Sequence, residues 1–196
     1  MDRQSLIEAG KAPRDLFPWR YGLMNAHERC GVAHLSHVCV HGLHTVNDDG
    51  YGGYTVMEDS DAELSRHLQA VKFASGRILK TGLGLGCFVR MCLTKEDVQH
   101  IDVVEIDASI ATHFGAEFKD NPRVKVHLAD ALTWDPGDRR WDLAWHDIYC
   151  AGNEGLQHLH MQLITRYQKH AQVQGAWNLP RWIKRLAKEK RKWDLI

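Results

Sequence analysis

The sequence predicts an α/β fold, a mostly parallel sheet with helices on both faces, preceded by a small N-terminal β-hairpin. Three observations carry that expectation. Short apolar runs alternate with helical stretches from residue 77 onward. The first run, Arg77-Ile-Leu-Lys-Thr81, leads straight into the glycine-rich Gly82-Leu-Gly-Leu-Gly86. Later runs end in or beside acids, at Glu105, Asp107, Asp130 and Asp147. Alternation of this kind argues for parallel strands joined by helical crossovers.

The elements follow in order. Residues 1 to about 29 are polar, with Pro13 and Pro18 as breakers. Gly31–Val40 is rich in β-formers, Asn47-Asp-Asp-Gly50 is a turn signal, and Gly53–Met57 reads as a returning strand. Ser60 and Glu63 form a capping box that opens a helix, and Leu64, Leu68, Val71 and Phe73 supply its apolar face. Then come a strand over 77–81, a helix from Gly86 to about Leu93, a strand over 101–106, a helix over 108–118, and strands over 123–128 and 141–145. A helix from about Glu154 to His170 follows. Tyr167–Gly175 is too polar for a buried central strand, so the sheet is expected to stop after its fourth parallel strand. A basic helix, Pro180–Trp193, closes the chain. The organisation is an N-terminal segment with a hairpin (1–57), an α/β core (58–175) and a basic C-terminal helix (176–196), packed as one domain.

Composition narrows the functional classes. The 196 residues are 44% hydrophobic, enough to bury a real core. Lys plus Arg and Asp plus Glu each total 25, so no global field favours nucleic acid or an anionic membrane. No apolar run reaches the length of a membrane span, and Met1–Asp15 lacks the apolar core of a signal peptide. Five scattered cysteines without a CxxC pair suggest reduced thiols and a cytoplasmic protein.

A strand, then G-x-G-x-G, then a helix is a nucleotide-binding arrangement. Gly82 permits the tight turn, Gly84 lets a ligand touch the backbone, and Gly86 lets the helix pack on the strand. Glu105 ends the second parallel strand, 23 residues beyond Gly82, where a carboxylate accepts from both hydroxyls of a ribose. Asp130, at the same rim, can accept from the amino group of an adenine. The core therefore reads as Rossmann-like.

These motifs together resemble the class I S-adenosylmethionine-dependent methyltransferase superfamily. They are Ile78-Leu-Lys-Thr-Gly-Leu-Gly-Leu-Gly86, Val103-Val-Glu-Ile-Asp107, Ala129-Asp-Ala-Leu132 and Trp141-Asp-Leu-Ala-Trp-His-Asp147. The likeness is greatest to the spermidine synthase-like branch, which also has Glu-Ile-Asp on the second strand and Asp-Ala after the third. The resemblance covers roughly residues 53–150. It implies that Gly82, Leu83, Gly84 and Gly86 face the methionine part of S-adenosylmethionine. Glu105 with Ile106 would hold the ribose, and Asp130 with Ala131 the adenine. Lys80 departs from the pattern, because many of these enzymes carry Asp or Glu there. An ammonium beside a sulfonium repels, so its stem is expected to snorkel and its charge to point away.

Asp147 matches the catalytic Asp of aminopropyltransferases, where it binds or deprotonates the attacking amine. His146 and Tyr149 are the second choices. On an extended stretch His146 points opposite to Asp147, so one of the two is structural. Glu58 and Asp59 could close the pocket from the other side, or serve as first-turn acids. The branch's longer acidic segment after the fourth-strand Asp is missing, since Cys150-Ala-Gly-Asn-Glu154 holds one acid. Methyl transfer to an unknown acceptor is the first reading. Aminopropyl transfer from the decarboxylated cofactor is the alternative, and a non-catalytic cofactor binder or scaffold is a third.

Two features are set aside. His27, His34, His37, His41 and His44 are dense, but a strand would put them on both faces, so no metal site is expected. The tail Arg181–Trp193 interleaves Trp with Lys and Arg and could touch nucleic acid. The plainer reading is an amphipathic helix with Trp182, Ile183 and Leu186 packed inward, against the sheet edge or a second copy.

Overall fold

The computed structural model describes residues 37–39, 42–44, 55–58, 61–148 and 157–179. Strands β1 (His37–Cys39), β2 (Gly42–His44) and β3 (Thr55–Glu58) form a three-stranded antiparallel sheet. The expected hairpin is therefore present with its returning strand. Ser60 of the capping box and the C-terminal helix beyond residue 179 lie outside the described residues.

Helix α1 (Asp61–Phe73) precedes the larger sheet. That sheet is built from β4 (Gly76–Thr81), β5 (Val98–Glu105), β6 (Val124–Leu128), β7 (Trp141–His146) and β8 (Ala171–Ala176). Its order is β6-β5-β4-β7-β8, with every pair parallel. Helix α2 (Cys87–Leu93) joins β4 to β5. Helix α3 (Ala108–His113) and a 3-10 turn (Gly115–Phe118) join β5 to β6, and α4 (Gln157–Tyr167) lies between β7 and β8.

The strands sort their side chains by alternation. Ile78, Ile101, Val103, Leu143 and Trp145 face α1, α2 and α3, where Leu64, Leu68, Phe88, Met91, Ile110 and Phe118 complete the larger core. Leu79, Val104 and Ala144 face the other way, against Leu163 and Tyr167 of α4, and Trp141 at the start of β7 joins that cluster outside the alternation. The central strands are apolar on both sides because both faces are covered. Residues 129–140, between β6 and β7, form turns, so α4 is the helix that covers the second face among the described residues.

One expectation is corrected. The sheet does not stop at its fourth parallel strand, since β8 pairs with β7 from Trp141↔Ala171 to His146↔Ala176. Among the described residues the strand has one neighbour in the sheet, so its polar residues are tolerated. Gln172 is exposed. Gln174 is buried but satisfied, through His146 Nε2 at 3.1 Å and the Ile164 carbonyl at 3.0 Å.

A second polar residue sits in the middle of β5. Asp102 is 1% exposed. It meets His127 Nε2 at 2.8 Å and accepts from the Trp141 indole N–H at 2.9 Å. Burial acts to raise its pKa, but these bonds and the charges of His100 and His127 outweigh it and hold the carboxyl at about 2. A depressed folded pKa gives stability that is present above the unfolded carboxyl range and is lost as pH falls through the folded value. Asp102→Asn should therefore flatten acid unfolding. Urea titrations between pH 4.5 and 2 should show wild type losing about 2 kcal/mol more than the variant.

Candidate functional site

The order of the sheet reverses direction between β4 and β7. In open parallel sheets ligands sit at the carboxyl ends of the strands at such a point. The first component there is the glycine loop, whose Gly82, Gly84 and Gly86 all have positive φ, at 78°, 55° and 78°. Side chains are strained in that region. For Gly82 the crowding comes from the protein itself, because a Cβ there would lie 2.1 Å from the Asp147 carbonyl oxygen. Gly86 is crowded by Phe118 of the 3-10 turn and by Arg90 of α2 itself, not by a strand.

Glu105 ties this loop to the end of β5. Its Oε2 accepts from Leu83 N–H at 2.6 Å and its Oε1 from Asp107 N–H at 2.8 Å. Each carboxylate oxygen carries two acceptor sites, so capacity remains for further donors. Asp107 has a different task, accepting from Ile110 N–H at 3.0 Å to cap α3. On the next strand end, Asp130 uses Oδ1 to accept from Leu132 N–H at 2.8 Å. Ala129 N–H donates to the Glu105 carbonyl at 2.9 Å, which keeps the two strand ends together. Two large apolar side chains are open on this rim, Ile106 at 68% and Leu128 at 60%. Ala131 is buried, and its carbonyl accepts from the Tyr167 hydroxyl at 2.8 Å.

On the other side of the loop lies an ion pair. Lys80 is 2% exposed and donates to Asp147 Oδ2 at 3.1 Å and to the Thr81 carbonyl at 3.3 Å. The snorkelling expectation is thus overturned. Lys80 lies on a central strand, on the face covered by α1 and α2, where its Nζ is 5.9 Å from the Phe88 ring centre. The nearest compensation is the carboxylate at the end of β7. Burial acts to raise the Asp147 pKa, but the Lys80 ammonium beside it holds it below the usual range.

His146 and Asp147 diverge, as an extended stretch requires. The His146 ring is fully buried, with Nδ1 3.1 Å from the Thr81 hydroxyl and Nε2 3.1 Å from Gln174 Oε1. Gln174 donates its amide to Ile164, so its oxygen accepts and Nε2 of His146 carries the proton. Burial lowers this imidazole to about 3, so it is neutral. His146 acts as a strut between β4, β7 and β8. His160 of α4 accepts from Ile148 N–H at 3.3 Å, and burial lowers it to about 4. Tyr149 and Asp59 lie outside the described residues, and Glu58 is placed only as the last residue of β3.

The structure brings the glycine loop, Glu105, Asp130 and Asp147 to one rim. Sequence reasoning missed Lys80 as the partner of Asp147, and it missed His67 and His160 nearby. Lys80 carried a usable signal, since a lysine inside a buried strand has to find an opposite charge. The two histidines carried none.

No family model matches the chain, and no curated protein matches it in sequence. Solved structures do. A candidate RNA methyltransferase from Pyrococcus horikoshii is 13% identical with a TM-score of 0.51, covering 69% of this chain and 68% of that one. The N-methyltransferase NodS from Bradyrhizobium japonicum, solved with S-adenosylhomocysteine, is 18% identical with a TM-score of 0.47, covering 65% and 64%. The 23S rRNA methyltransferase ErmE is 16% identical with a TM-score of 0.47, and the match covers 59% of this chain and 44% of that one. The first likeness establishes a shared fold, the Rossmann-like α/β sheet on which that protein is built. No helix among the described residues is long and apolar enough to cross a membrane.

The close approach at Gly82 gives a direct test. Gly82→Ala combines a positive φ with a collision against backbone, so the end of β4 or of β7 must move. A loss of about 2 kcal/mol or more is expected in denaturant unfolding.

Proposed function

We propose that the chain binds S-adenosylmethionine at this rim and transfers its methyl group to an acceptor still to be identified. The observation that carries the reading is the rim itself. Two carboxylates, Glu105 at the end of β5 and Asp130 just beyond the end of β6, lie beside a positive-φ glycine loop, and Ile106 and Leu128 expose apolar side chains on the same rim. That donor set fits an adenosyl group. Glu105 has acceptor capacity for ribose hydroxyls, Asp130 has an oxygen for an adenine amino group, and the apolar side chains offer the ring a dry face. When bound, the cofactor supplies an electrophilic methyl group on a sulfonium.

The remaining work falls to residues at the end of β7. Asp147 is held ionised by Lys80, so it is a weak base. Its chemistry suits orienting an acceptor and steadying positive charge as that charge develops. His146 supports the strand end from within the core. Tyr149, two residues on, is carried in this proposal as a further candidate for contact with the acceptor. Glu105 with Leu83 and Ile106, and Asp130 with Ala131, are the proposed cofactor contacts, beside Gly82, Gly84 and Gly86.

Calorimetric titration with S-adenosylmethionine, S-adenosylhomocysteine and the decarboxylated cofactor tests the reading. Binding of the first two with Kd on the order of micromolar is expected, with Asp130→Ala weakening it about tenfold and Glu105→Ala abolishing it. A preference for the decarboxylated form would instead favour aminopropyl transfer, the alternative suggested by the spermidine synthase-like motifs. Binding of none of the three would leave the fold serving another purpose.

A further inference from the structure

A lysine is an unexpected neighbour for a cationic ligand. Its geometry, however, is that of a support. The Lys80 ammonium is buried, donates to the Thr81 carbonyl at 3.3 Å and reaches Asp147 Oδ2 at 3.1 Å. The Asp147 side chain is 8% exposed, at the outer end of the pair. Asp147 N–H donates to the Thr81 carbonyl at 3.1 Å, and its own carbonyl packs on Gly82. Backbone and side chain are both anchored to the end of β4. We propose that Lys80 is a positioning residue, which fixes the Asp147 carboxylate in one orientation, with its charge, at the rim where ligand binds.

The physical reason lies in burial. A carboxyl so enclosed takes up a proton unless a cation stands beside it. Among the described residues, the charged or titratable groups acting on Asp147 are Lys80 of β4, His67 of α1 and His160 of α4. His146, its neighbour in sequence, is neutral and bonded elsewhere. His160 is also neutral, through burial. Lys80 is the cation in direct contact. It also cancels the charge of Asp147, so this end of the rim is neutral as a unit while its outer group is an anion.

The role in ligand binding rests on the proposed cofactor reading, but the effect on Asp147 does not. Carboxyl-carbon NMR of the ligand-free protein reads Asp147 directly. In wild type it should stay ionised from pH 8 down to 5. In Lys80→Met its titration should move into that range, and Lys80→Arg should return it below. S-adenosylmethionine affinity in Lys80→Met should then fall as pH drops, by about tenfold per unit below the raised pKa, while wild type changes far less. An unmoved Asp147 titration in Lys80→Met would overturn the proposal, whatever happens to ligand binding. A wild type that binds no adenosyl ligand would sink the cofactor reading and leave the NMR test intact. Should Lys80→Met not fold, Lys80→Gln carries the same NMR test, and an Asp147 titration that stays below pH 5 there would overturn the proposal.

Discussion

Lys80 lies on the strand at the centre of the sheet, with its ammonium taken out of water. An unpaired charge there would cost several kcal/mol, and Asp147 stands opposite it at 3.1 Å. Much of the rim follows from this contact. For Asp147 to reach, the end of β7 must press against the end of β4, and only a residue without Cβ tolerates that pressure at position 82. The turn into α2 starts from that glycine. Glu105 then holds the loop from the other side by accepting from Leu83 N–H. Arg90, buried beneath the loop, donates to the Leu85 carbonyl and pairs with Glu117. The loop is fixed by charges on three sides.

The alternation of strand and helix was legible because buried parallel strands need apolar runs, and 78–79, 103–104 and 143–145 supply them. The rim acids were legible because each ends such a run. The fifth strand was not. An edge strand is only half enclosed, so Ala171–Ala176 lacks the apolar signature of its neighbours, and Gln174 resembles loop composition while being buried and bonded. The partner of Lys80 was hidden for another reason. Ion pairs across a sheet join residues far apart in sequence, and only the parallel register brings positions 80 and 147 together. The same holds for Asp102, whose partners His127 and Trp141 come from two other strands.

The carboxylates differ in what they have left to offer. Asp107 caps a helix, and Asp102 is occupied inside the sheet. Glu105 and Asp130 are used in part, each with acceptor capacity left over. Asp147 is balanced by Lys80. The rim is therefore unequal across its width, with two acids that have no ion pair among the described residues on the β5–β6 side and a neutral pair on the β7 side.

That inequality argues against a phosphate-bearing ligand. A pyrophosphate at the glycine loop would lie close to Glu105, and the cations nearest the loop among the described residues, Lys80 and Arg90, are already paired with Asp147 and Glu117. Two like charges about 4 Å apart repel by about 4 kcal/mol at the effective dielectric of a protein surface, which offsets what the loop N–H groups contribute. A ligand that presents hydroxyl and amino donors to β5 and β6, with no net negative charge at its centre, meets no such penalty. An adenosyl group joined to an amino acid through sulfur has that distribution, which is why the electrostatics and the loop geometry favour the same class of ligand.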